Sequence, residues 1–147
     1  MKDKFRVTRR AGQVLGTVAA ASAIAASAVA ASVANAGPAQ AATNPYTAAG
    51  VCGSSYHELE HHSISGAVIY LMWNGADNCV ATIKTSNIGK KTETEAILEV
   101  QSPRGFYADD DSYAYYAVIA EHAAGSCIKW GGMTTQIWES AVWDHCG

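Results

Sequence analysis

The chain has 147 residues, with 10 basic side chains against 13 acidic ones and 4 cysteines. That is room for one small domain behind a leader segment and for no second domain. The acidic balance excludes DNA and other polyanions as partners, since binding them needs a surplus of Lys and Arg.

The chain opens on a cationic stretch, Met1–Arg10, followed by an uncharged alanine-rich run, Val14–Val33. Two small-x-small sites come next, Ala34-Asn35-Ala36 and Ala39-Gln40-Ala41. This is the order of a secretory signal peptide, predicted over 1–41 and removed, with the cut after Ala41 preferred to the cut after Ala36. The rival is a membrane anchor, because a run of about 20 residues spans a bilayer. Alanine is only weakly apolar, however, and Gly37-Pro38 sits at the cut. With the leader go five of the ten bases and one of the thirteen acids, leaving twelve acids against five bases, a formal −7. The expected product is one secreted domain, 42–147, free of the membrane.

Thr43 or Asn44 is the predicted cap of a short helix with Pro45 in its first turn, ended by Gly50 or Gly53. The following Ser54–Ser65 is polar and reads as a solvated strand or turn. Gly66–Trp73 is a continuous apolar run, as in a strand buried on both faces. Asn74–Asn78 is a turn by composition, and Cys79–Thr85 its returning partner. Thr92–Gln101 alternates, with Ala96, Leu98 and Val100 inward. Phe106–Ser112 is predicted as a loop or hairpin tip, because Asp109-Asp110-Asp111 opposes regular pairing. Tyr113–Glu121, Cys127–Trp130 and Gln136–Trp143 complete five to six strands, an all-β antiparallel barrel or sandwich.

Cys52, Cys79, Cys127 and Cys146 all fall in the exported part, an even count that reads as two disulfides. Of three connectivities, Cys52–Cys79 with Cys127–Cys146 is preferred because each bridge clips one end of the domain. Zinc through cysteine needs close pairs, whereas the gaps here are 27, 48 and 19 positions.

His57-Glu58-Leu59-Glu60-His61 matches H-E-x-x-H, in which a helix offers two histidines to zinc and a glutamate activates water. The stretch lacks an apolar stripe to bury such a helix, and Ile64 stands where a longer zinc signature needs glycine. A small zinc peptidase using His57 and His61 is therefore the minor alternative to no metal at all. His122 and His145 read as isolated surface residues. Asp109–Asp111 lacks the spacing of a calcium loop and reads as a solvated tip or as a guard against edge pairing. No catalytic constellation and no cofactor signature stands out, and no inhibitor-type reactive loop is recognisable. Aromatic side chains are dense, and Tyr113, Tyr115, Tyr116 and Trp130 are the candidate ligand-binding residues, through ring stacking on a glycan or an assembly partner. Core filling is the competing role, most of all for the tryptophans.

The stretches NPYTAAGVCG (44–53), GAVIYLMWN (66–74), NCVATIKTS (78–86), LEVQ (98–101), CIKWGG (127–132) and the closing HCG (145–147) together resemble the spore-associated protein A family of streptomycetes and related actinobacteria. The resemblance implies a small exported protein found with the spore envelope or the surroundings of aerial growth, with no established catalytic activity to carry over. The expected partner is accordingly a spore-envelope or cell-wall surface, with glycan the ligand that the aromatic side chains alone suggest. HELEHH and SPRGFYADDD lie outside the family-like stretches.

Overall fold

The computed structural model describes residues 42–147; the leader expected over 1–41 lies outside the described residues. A helix, α1 (Ala48–Cys52), precedes eight strands: β1 (His57–Ile64), β2 (Ala67–Trp73), β3 (Asp77–Lys84), β4 (Thr92–Val100), β5 (Gly105–Tyr113), β6 (Tyr116–His122), β7 (Ile128–Met133) and β8 (Ile137–Glu139). They form two four-stranded antiparallel sheets, A in the order β1-β2-β3-β6 and B in the order β5-β4-β7-β8. The fold is a sandwich, not a barrel. Among the described residues no helix is long and apolar enough to cross a membrane.

Ile69, Leu71, Val80, Leu98, Ile128 and Trp130 meet between the sheets. Every residue of β3 after Asp77 is buried, because α1 covers the outer face of sheet A. Ala48 of the helix packs there with Met72, Cys79, Ala81 and Ile83. This double cover explains the unbroken apolar run of β2, since a strand that faces water on neither side needs no alternation. Two disulfides secure the ends. Cys52–Cys79 ties α1 to β3, and Cys127–Cys146 ties the C-terminal tail to the start of β7. Gly132 lets the sheets approach closely: a Cβ there would strike Thr82 Oγ1 and come within 2.7 Å of the Glu95 carbonyl. The hydroxyl of Thr82 donates to that same carbonyl at 2.7 Å, across the two sheets.

Several sequence expectations need correcting. The helix cap is Thr47, whose side chain accepts from the Gly50 amide at 3.1 Å, and not Thr43 or Asn44. The described residues form eight strands, not five or six. The segment expected as a loop at Phe106–Ser112 is the middle of β5, paired with β4 along its whole length. Propensity gives way because β5 is an edge strand, on which Asp110 and the oppositely directed Asp111 both stay exposed. Asp109 points away from the face of Asp110 and accepts from the Val118 amide of β6 at 2.8 Å. The chain then crosses between sheets at Ala114-Tyr115, so the strand expected over Tyr113–Glu121 starts only at Tyr116.

On the opposite side, the His62 ring of β1 stacks on Trp138 of β8, with centroids 3.9 Å apart and planes at 10°. The open flanks of both sheets are thus closed by side chains, which discourages edge-to-edge association.

Candidate functional site

The corner between β5 and β6 is held from beneath by a buried cation. Lys84, at the end of β3, donates from Nζ to the Lys90 carbonyl (2.8 Å), Thr92 Oγ1 (2.6 Å) and the Tyr113 carbonyl (2.9 Å). Burial pushes its ammonium below the usual lysine range. All three N–H bonds are used, so the role of Lys84 is structural.

Asn44 holds the corner from above. Its Nδ2 donates to the carbonyls of Lys84 (2.9 Å) and Tyr115 (2.8 Å), while its Oδ1 accepts from the Tyr46 amide at 3.0 Å. These bonds place Tyr46 over Tyr115 and Tyr116, with ring centroids 5.3 and 4.9 Å apart and planes at 57° and 59°. Tilted contacts of this kind suit the ring quadrupoles.

A cleft of about 250 Å3 opens here between Tyr46, Tyr113, Tyr115, Tyr116 and Asp109. Asp109 accepts the Tyr113 hydroxyl proton. That bond, helped by burial and the neighbouring acids, pushes the Tyr113 phenol up to about 12. Tyr46 also borders a second cleft, of about 390 Å3, with Tyr56, Tyr70, Glu58 and Met72 in its lining. Burial, and then the Asp77 charge, raises the Tyr56 phenol as well. Six of the seven tyrosines therefore line two clefts that share Tyr46. Flat rings beside carboxylate acceptors can stack on a sugar face and bind its hydroxyls.

The structure brings Tyr113, Tyr115 and Tyr116 together, all of them half-buried. It does not bring Trp130 with them. That side chain is 1% exposed and meets Trp138 edge-on at 4.9 Å inside the sandwich. Its proposed ligand role is therefore corrected to core packing, as a large ring on an inward strand position dictates. Tyr46 and Asp109 join the cleft from outside the expected set of ligand-binding residues, and no local pattern singles them out for it.

The stretch is the solvated strand expected over Ser54–Ser65, and the minor H-E-x-x-H alternative lacks its helix. His57–Ile64 is a strand, not a helix, with an irregularity at Leu59. Across the ladder His57 opposes Trp73 and His61 opposes Tyr70. Trp73 and Tyr70 lie three apart on β2, hence on opposite faces, so the two histidines are turned away from a common ion. Instead, His61 Nδ1 lies 2.7 Å from Glu58 Oε1 at the surface. His122 and His145 are not isolated: His122 Nδ1 is 3.0 Å from Asp77 Oδ1, and His145 Nε2 is 3.2 Å from Glu60 Oε2.

No protein-family model and no solved structure matches the chain. Among curated proteins it is 30% identical over 114 residues to spore-associated protein A of Streptomyces coelicolor, an alignment covering 74% of each chain. The chain belongs to the spore-associated protein A family. In this chain the NPYT segment supplies Asn44 and Tyr46, and the NCVATIKTS segment supplies Lys84, the residues that build and hold the tyrosine corner.

Proposed function

We propose that this is an exported, non-enzymatic protein of the spore or cell surface. The observation that carries the reading is its membership of the spore-associated protein A family, joined by two disulfides that suit an oxidising exterior. The work of such a protein is adhesion and persistence. Fractionation of a sporulating culture tests it. The protein is expected in the medium or in spore washes with no free thiol, and recovery in the cytosol with four reactive thiols would refute the reading.

A second, finer reading is favoured by the tyrosine clefts: the protein holds to cell-wall glycan through Tyr46, Tyr115 and Tyr116. Sedimentation with insoluble peptidoglycan or chitin is expected to retain the protein. Tyr46→Ala and Tyr115→Ala should each weaken retention roughly tenfold, since stacking contacts of this type contribute on the order of 1 kcal/mol or more each. Equal retention of both variants would remove the clefts from the account.

A further inference from the structure

The C-terminal tail returns to the edge of sheet A and brings three metal-binding groups to one point. Asp144 pairs with Ile128 through both backbone groups, at 2.8 and 3.0 Å. Two residues on, Cys146 is bonded to Cys127. His145 is therefore fixed between two anchors to β7. On the other side, the extra residue Leu59 shifts the β1 register, so that Glu60 opposes Leu71 rather than Tyr70. Bulges re-aim side chains in this way, and here the shift turns Glu60 toward the tail.

His145 Nε2 then lies 3.2 Å from Glu60 Oε2 and 3.8 Å from Asp144 Oδ1. Ligand atoms from the three residues all fall within 4.8 Å of one another. Ligands held at about 2.0–2.1 Å around a tetrahedral zinc stand about 3.3 Å apart, so small side-chain rotations would suffice. A second observation concerns the same group: Asp144 Oδ1 is itself shielded from water and accepts no hydrogen bond, although the rest of its side chain is partly exposed. A carboxylate oxygen in that condition is costly unless a cation satisfies it.

We propose that Glu60, Asp144 and His145 form a binding site for a divalent first-row transition ion, Zn2+ being the best match to one imidazole and two carboxylates. The side chains of Glu60 and Asp144 are 54% and 38% exposed, so an ion can enter and keep water in a fourth position. Its effect is structural: it clips the tail to β1, on the side where the Cys127–Cys146 bridge alone does not reach. Glu60 lies within the H-E-x-x-H stretch, but the site uses neither of that motif's histidines nor its Glu58.

The test is calorimetric titration of the metal-free full-length exported protein with zinc sulfate, alongside its melting temperature with and without zinc. One ion per chain is expected, with a rise in melting temperature, as any ligand confined to the native state produces. Glu60→Gln and His145→Gln should each weaken binding roughly tenfold or more and abolish the thermal shift, while His61→Gln should leave both unchanged. Glu60→Gln changes one exposed strand residue and keeps the fold testable even if the tail variant loosens. Absence of stoichiometric binding overturns the proposal. So does binding that survives both substitutions, or binding lost only in His57→Gln or His61→Gln.

Discussion

The outer faces of the two sheets are finished in opposite ways. That of sheet A is roofed by α1, locked by Cys52–Cys79 and continued into the tyrosine clefts. That of sheet B has no helix over it, and acids crowd it around the buried Ile97. Glu95 opposes Asp110 of β5, and Glu99 opposes Lys129 of β7. Lys129 is the cation among them and leans over the Trp143 ring at 5.4 Å. The difference teaches where the sequence concentrates structure. One face carries apolar cover and built recesses, and the other carries like charge, which opposes close approach of another such face.

The sharpest way to break this contrast is to remove the roof. Cys52→Ala with Cys79→Ala is expected to cost about 3 kcal/mol, a fall of roughly 10 °C or more in melting temperature for a domain of this size. Retention on peptidoglycan should fall with it, because Tyr46 and Tyr56 flank the freed helix. Thermal melts and sedimentation on one preparation read both effects. A stability loss with full retention would show that the clefts do not depend on the roof.

A smaller effect is expected at the corner. The Tyr113 phenol is raised from about 10 to about 12 by its bond to Asp109. A group raised on folding contributes stability that is complete below its unfolded pKa and lost as pH rises through its folded one. The contribution should therefore hold at neutral pH and fade between about pH 10 and pH 12. Tyr113→Phe should cost about 1 kcal/mol at pH 7 and nothing measurable near pH 12, as read by chemical denaturation at both pH values.

What could be foreseen in the sequence follows the same divide. The continuous run of β2 and the alternation of β4 declare one buried strand and one half-buried strand, because burial leaves its period in the residues themselves. β5 was hidden. Asp109 is tolerable in a strand only because the Val118 amide waits nine positions away on the other sheet, and pairing between sheets leaves no local period. Tyr46 was hidden for a like reason, since Asn44 anchors it to carbonyls 40 and 71 positions distant. The Glu60–His145 pair spans 85 positions, and the bulge that makes it possible hangs on one extra leucine. Trp130 shows the converse error: an aromatic residue carries the same letter whether it fills a core or faces a ligand.

The smallest expected effect belongs to the open face of sheet B, and its sign tells the two faces apart. Partial burial, followed by repulsion from Asp110 and Glu93, raises the Glu95 carboxyl above its ordinary value. Partial burial, followed by a hydrogen bond with Glu99, raises that of Glu139. A carboxyl raised on folding favours the native state below its unfolded pKa of about 4.5, and that advantage disappears as pH climbs through the folded value. Ionising either group on folding therefore works against a local preference for the neutral form. Glu95→Gln and Glu139→Gln should each stabilise the domain at pH 7, by no more than about 0.5 kcal/mol, and should have no effect near pH 4, where the native carboxyls are already protonated. Denaturation midpoints at the two pH values provide the check. A loss of stability at pH 7 would mean that these acids brace sheet B, instead of charging a face with no helix over it.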